Sequence, residues 1–406
     1  MSVSPLEEAD ARLWAPLYNE RFRSLWIANG ISNLGTWMQG MGAAWLMVHL
    51  SSSSQMVALI QTAMTLPIFL LVVPAGILAD RFDRRSYLLA THVAMAIAAF
   101  GLSIIIALEA VTPSLLLLGT FLLGCGAAMT MPAWQAATSS LVESTEIHSA
   151  AALNGMSFNF ARTLGPALAG LIAQISAISL IFWMNAASYL ALIFVFWRWR
   201  STSANAITRP KAPRKSRSHG FGHILQYERF IALLVRTFLI FFGASSMWSL
   251  LPAFAGLELH MNASSVGLLM GTIGAGAIVG GMLLPSLKAR VGIDRLTRIA
   301  AALLGLALIL AACNVNYFAL WLAMVLTGTG WAFIVSGLNG TAQAMFPVEI
   351  RGKAISVYLM AMYGGTMSGS WTWGLISTSY GVPYTFVAAA TMLLICAKAL
   401  KRLSIA

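Results

Sequence analysis

Apolar stretches recur along nearly the whole chain, each close to the roughly 20 residues a helix needs to cross a bilayer, and each is closed by a short polar or basic gap. Read this way, crossings fall at 24–48, 55–79, 87–108, 114–140, 150–174, 178–197, 231–255, 265–287, 299–313, 317–344, 353–377 and 384–400. Twelve such runs predict an all-α membrane protein. They divide evenly about a stretch of Lys, Arg, Ser and Pro. The expected organisation is therefore an N-terminal segment at 1–23, a six-helix bundle at 24–197, a basic linker at 198–230, a second six-helix bundle at 231–400 and a tail at 401–406. The linker, with Arg209-Pro210-Lys211-Ala212-Pro213-Arg214-Lys215, cannot bury apolar surface and reads as a flexible tether.

The two halves echo one another. Glu146-Ile147, Ala151 and Gly170-Leu171-Ile172 in the first half return as Glu349-Ile350, Ala354 and Gly374-Leu375-Ile376 in the second. Two pseudo-symmetric six-helix bundles with a basic loop between them are the pattern of parallel-repeat transporters, whose substrate site lies near the bilayer midplane.

Charge orients the chain. All but two of its 25 Lys and Arg residues lie in the termini or in every second gap, and the intervening gaps hold none. Cytoplasmic loops retain basic residues, so both termini are expected in the cytoplasm of a multi-pass protein. Composition agrees: 59% of residues are hydrophobic and 9% charged, against roughly 45–50% and about 25% in soluble domains. A net charge of +12 would suggest nucleic acid in a soluble chain. Here it is the sum of anchors beside anionic headgroups, so the expected partners are the lipid bilayer and a small molecule, with no nucleic acid and a monomeric state. Cys125, Cys313 and Cys396 are scattered in apolar runs and form neither a disulfide framework nor a metal spacing. The stretch before Arg21 lacks the layout of a cleavable signal, which leaves the first crossing to act as its own insertion signal.

The two basic residues inside segments differ. Arg236 sits about six residues into its segment and is expected to snorkel to the surface. Arg162 lies roughly 18 Å from the edge of its own, near the midplane. A cation there costs at least ~2.5 kcal/mol and needs a partner or a wet cavity. No segment carries a mid-depth carboxylate, so carbonyls, Asn159 or Asn185 must satisfy Arg162, or it faces an anion in a translocation path. That second reading suits acidic or phenolate-bearing substrates. In the first segment Asn29, Asn33, Thr36 and Gly40 share a helical face, with Trp37 and Gln39 nearby. Such a stripe serves helix contacts or lines a water-filled cavity. Tyr363, Thr366 and Ser370 form a similar stripe in the eleventh segment, and the 21 Met residues suit either an adaptable cavity or ordinary gap filling.

Between the second and third segments runs Gly76-Ile77-Leu78-Ala79-Asp80-Arg81-Phe82-Asp83-Arg84-Arg85. It resembles the loop signature of the major facilitator superfamily, with Asp83 where that family usually has Gly. The resemblance implies a conformational gate made by Gly76, Asp80, Arg81, Arg84 and Arg85, in which Asp80 sits near a helix N-terminus, accepts from Arg and faces the start of the eleventh segment near Lys353. The same arginines also serve as topology anchors. Gly165-Pro166 and Gly170 in the fifth segment resemble the antiporter signature of efflux-type facilitators, although Ala169 replaces one Gly. Glycines there allow close helix approach and Pro166 frees a carbonyl.

A wider pattern, Phe22-Arg23-Ser24-Leu25-Trp26, Asn33-Leu34-Gly35-Thr36-Trp37-Met38-Gln39 and Asn159-Phe160-Ala161-Arg162, is similar to the bacterial facilitator branch that includes the enterobactin exporter and macrolide efflux proteins. That resemblance implies the facilitator fold, a bacterial inner-membrane location and export of a small organic molecule such as a siderophore or antibiotic by alternating access. It also implies that segments 1, 4, 7 and 10 line the cavity, which makes Asn29, Asn33, Trp37, Trp248, Asn339 and Gln343 binding candidates alongside Arg162. Drug–proton facilitators usually place an Arg where Thr120 stands. The coupling ion is thus open; proton coupling would fall to His92 or Asp80, and His92 also reads as a hydrogen-bonded helix histidine. Import of a nutrient on the same fold is the alternative. An integral-membrane enzyme is disfavoured, because the six His residues form no motif beside carboxylates and no phosphate-binding loop occurs, and no cofactor is expected.

Overall fold

The computed structural model describes residues 13–199, 224–313, 316–402 and 405; most of the linker lies outside them. Among the described residues there are eleven α-helices and no strands. They are α1 (Glu20–Leu50), α2 (Ser54–Arg81), α3 (Arg84–Ala107), α4 (Pro113–Ser139), α5 (Ile147–Ile175), α6 (Ser179–Arg198), α7 (Glu228–Ala253), α8 (Ala263–Cys313), α9 (Tyr317–Ala344), α10 (Val348–Tyr380) and α11 (Val382–Ala399). Their ends follow local chemistry. Asn19 caps α1 by accepting from Arg21 N at 3.0 Å and Phe22 N at 3.3 Å. Asn316 caps α9 by accepting from Ala319 N at 2.8 Å, and Thr112 with Pro113 opens α4.

The expected gap at Lys288–Arg298 is not a loop. Helix α8 runs 51 residues through it and breaks only at Gly292, whose φ of 73° and ψ of 166° are open to glycine and strained for other residues. Short basic runs keep helix propensity, so a break that the charge pattern marks as a whole gap shrinks to one residue.

Among the described residues, eight helical stretches are long and apolar enough to span a bilayer by themselves. Helices α1, α5 and α10 are absent from that set; α1 and α10 carry the polar stripes and α5 carries Arg162.

The chain folds as two compact units. The first holds the described residues up to Ser51, then Leu71–Trp199 and His260–Gly274. In it α1 lies against α5 and α6, and α3 against α6 and α4. Leu25, Leu88, Ala133, Leu192 and Phe196 form a buried core cluster there. The start of α8 joins this unit along α5: a Cβ on Gly170 would press on the backbone of Ala263, Ser264 and Gly267, so only a glycine permits the approach.

The second unit holds Ser52–Leu70, the described part of Arg200–Leu259, and the chain from Ala275 onward. Its most extensive pairing is α7 with α10, fixed by Trp373 Nε1 donating to Phe242 O at 2.7 Å. The first half of α2 packs here, with Ser54 Oγ 2.7 Å from Ser377 Oγ and Ala58 beside Gly374. Helix α7 ends in a π-helical turn, Phe254–Glu258, and Glu258 accepts from Val382 N at 2.9 Å, which caps α11.

Arg236 does not snorkel. It is wholly buried in this unit, with Nη1 2.7 Å from Asp294 Oδ1 and 2.8 Å from Thr297 Oγ1, while Nη2 donates to Leu400 O at 3.0 Å. Asp294 also accepts from Ile405 N at 3.2 Å. A carboxylate two residues past the Gly292 break thus matches a cation 58 positions earlier, and enclosure by α8 and the chain after α11 removes the need to reach the surface.

Candidate functional site

Helices α1 and α5 run side by side in the same direction. Trp26 Nε1 donates to Leu153 O at 3.0 Å, Ser157 Oγ packs on Gly30, and Gly165 lies against Leu34, Trp37 and Met38. A Cβ on Gly165 would stand 2.6 Å from Trp37 Cβ, nearer than side chains tolerate, so glycine is required there. These contacts set the register and place Arg162 level with Leu34, one residue from Asn33.

Arg162 is 6% exposed. It makes no hydrogen bond or ion pair with any described residue, and its Nε is fully enclosed. Neither amide weighed for it is engaged with it. Asn159 Nδ2 donates to Gly155 O at 2.9 Å, and Asn185 bonds Gln39 Oε1 and Tyr189 Oη. Pro166 has no N–H for the carbonyl four residues back, so the Arg162 carbonyl also loses its usual donor. Trp37 and Phe158 meet edge to face at 5.7 Å and form an aromatic wall at this height.

The polar stripe on α1 divides. Asn29 and Asn33 are half-buried and bond to no described residue. They lie about half a turn round the helix from Ile27 and Ile31, which are 51% and 49% exposed. One side of α1 is thus apolar and exposed, and the other carries unmatched amides. Thr36 and Gln39 turn instead toward α6. There Thr36 Oγ1 lies 3.5 Å from Tyr189 Oη, and Asn185 joins Tyr189 to Gln39 in a buried network. His92, 3% exposed, stands edge-on to Tyr189 with Nδ1 2.7 Å from Leu88 O, in the hydrogen-bonded helix-histidine arrangement.

Sequence reasoning did not mark Asn154, Ser157 and Phe158 on α5. Asn154 Oδ1 is enclosed without a hydrogen bond. Spacing contained a signal, since positions 154, 157, 158, 161 and 165 recur on the face α5 turns to α1.

The remaining candidates lie elsewhere. Trp248 stacks edge to face on Trp331 at 5.5 Å in the second unit. Gln343 Nε2 donates to Asn339 Oδ1 at 2.9 Å, one helical turn apart on α9. Around the 76–85 segment, Gly76 has open space where a Cβ would stand, and Asp80 and Arg81 are exposed and bond to no described residue. Asp80 occupies the last turn of α2. Asp83 caps α3, accepting from Ser86 N and Ser86 Oγ at 2.9 Å. Arg84 donates to Ala136 O at 3.3 Å, and Arg85 to Phe196 O at 2.7 Å and Trp197 O at 3.0 Å, where they neutralise the carbonyl ends of α4 and α6.

Among curated proteins the chain is 26% identical over 272 residues to an enterobactin exporter of Citrobacter koseri, covering 64% of this chain and 62% of that protein. It thus spans less than two thirds of that relative's length. It is 22% identical over 362 residues to a staphyloferrin A transporter of Staphylococcus aureus, covering 87% of this chain and 88% of that one. Its fold is similar to solved structures of a nucleoside transporter (TM-score 0.73, 15% identity, 94% of this chain and 98% of that one). A bacterial homologue of the iron transporter ferroportin is also similar (TM-score 0.69, 15% identity, 94% and 98%). The transmembrane secretion effector family matches residues 11–406, and with that match over a facilitator fold the chain belongs to this family of major facilitator transporters.

Proposed function

We propose that the protein is a secondary active exporter that carries a small organic anion out of the cytoplasm by alternating access, with Arg162 as the anion's counter-charge. The observation that carries this reading is Arg162 itself, a 94% enclosed guanidinium without a described partner (6% exposed), on a helix side shared with unmatched amides and an aromatic pair. A structural arginine buried within a segment is expected to have a counter-charge, as Arg236 has in Asp294; one without is positioned for a ligand. The relative named an enterobactin exporter favours the outward direction, and together with the staphyloferrin A transporter it favours siderophore-like cargo. Within this reading the chain works as two six-helix bundles, 24–197 and 231–400, in a bacterial inner membrane, with both termini cytoplasmic and Asp80 as part of a gate.

The test is transport in reconstituted vesicles, with organic anions supplied on either face and the driving gradient varied between a proton gradient and none. Arg162→Gln should abolish anion flux while the protein still inserts and elutes as a single species. Unchanged flux removes Arg162 from the path. Uptake toward the cytoplasmic face alone would make the protein an importer.

A further inference from the structure

Asn29, Asn33 and Arg162 are polar groups near the α1–α5 seam, and each ends without a described partner. Unmatched polar groups within a bilayer are costly, and three on one pair of helices point to a bound molecule that meets them. Their heights are ordered. The contacts of Trp26 with Leu153, Gly30 with Ser157 and Leu34 with Gly165 place Arg162 level with Leu34, one residue from Asn33, with Asn29 about 6 Å from Asn33 and about 8 Å from Arg162 toward the start of α1 at 1.5 Å per residue.

Chemistry narrows the ligand. Arg162 only donates, and an oxyanion is its natural complement. Asn29 both donates and accepts, which fits a neutral hydroxyl or amide. A second negative charge would be unmatched, because α1 has no Lys, Arg or His between Arg23 and His49, and α5 none between His148 and Arg162. The Trp37–Phe158 pair, level with Arg162, offers an aromatic flank to a flat body.

We propose that this face binds a flat monoanion bearing a neutral hydroxyl or amide about 6–8 Å from its charge, the oxyanion at Arg162 and Asn33 and the second group at Asn29. This rests on the anion reading above and makes Asn29 a specificity-determining residue.

The test uses purified full-length protein in lipid nanodiscs at pH 7 and two acids that differ only in the distal hydroxyl, cinnamate and 4-hydroxycinnamate, with affinities read by equilibrium dialysis. Wild type should bind 4-hydroxycinnamate ~5-fold more tightly, the yield of one added neutral hydrogen bond. Asn29→Leu should equalise the two acids and leave cinnamate affinity unchanged. Asn29→Thr, which keeps a hydrogen-bonding oxygen, should retain part of the preference and guards against a merely misfolded Leu variant. Equal affinities in wild type, binding of neither acid, or a preference that survives Asn29→Leu overturns the inference. Arg162→Gln separates the two ideas. It should weaken both acids at least tenfold; undiminished binding overturns the anion reading and this inference with it, whereas intact Arg162 dependence with no hydroxyl preference overturns the inference alone.

Discussion

Removing either member of the Arg236–Asp294 pair breaks the same 2.7 Å contact, yet the two deletions should differ in cost. Arg236 is 0% exposed and Asp294 26%. In Asp294→Ala the guanidinium stays enclosed, keeps its bonds to Thr297 Oγ1 and Leu400 O, and cannot reach water. Removing the counter-charge of a buried cation costs about 3–5 kcal/mol, and the bonds that remain put the expectation at the lower end, about 3 kcal/mol. In Arg236→Met the orphan is Asp294, which has access to solvent and keeps the Ile405 N–H, so about 1 kcal/mol is expected. Because a 150–250-residue unit shifts about 2–4 °C per kcal/mol, Asp294→Ala should lower the melting temperature by roughly 6–12 °C and Arg236→Met by about 2–4 °C. The double variant should resemble Arg236→Met, since an apolar pair replaces an ion pair at little cost. The assay is thermal unfolding of purified protein in one detergent at one scan rate. Equal losses, the reverse order, or a double variant as unstable as the sum of the singles would refute the reasoning.

Two further outcomes follow from the same geometry. Asp83→Ala removes the α3 cap and should cost about 1 kcal/mol in the same unfolding assay, whereas Asp80→Asn, exposed and bonded to no described residue, should leave the melting temperature in place and, under the gate role proposed above, slow transport. Gly165→Ala forces a methyl to 2.6 Å from Trp37 Cβ and should cost about 1–3 kcal/mol, while Gly76→Ala, with open space around it, should stay within ~0.5 kcal/mol; equal melting temperatures for the two would contradict the assigned helix contacts.

Much of this architecture was legible because crossing a bilayer leaves a long-range record: a span needs an uninterrupted apolar run, and Arg162 stands out against one. The face of α1 was legible too, since Asn29 and Asn33 are one helical turn apart. What failed to show was pairing across distance. Arg236 sat near a segment end, where snorkelling is the local solution; its actual partner lies on a stretch that reads as a loop and is helical up to and beyond Gly292. Thr36 belonged by spacing to the Asn29 stripe, yet its hydroxyl, which donates to Ser32 O at 2.9 Å, also lies 3.5 Å from Tyr189 Oη, 153 positions away, and no local pattern encodes that. In the 76–85 segment the cap that Asp83 gives α3 was not anticipated, because only the structure shows that α3 begins just after it with free N–H groups.

The lower apolarity of α1, α5 and α10 bears on how the chain is made. A nascent helix leaves the translocon sideways when lipid is the better solvent for it, and α5, with Arg162 at mid-depth, is a poor solute by itself. Its exit must be cooperative, delayed until α6 has emerged or assisted by α1 already lodged alongside. Substitutions that weaken the α1–α5 seam should therefore lower the yield of correctly threaded protein before they alter the behaviour of the finished molecule.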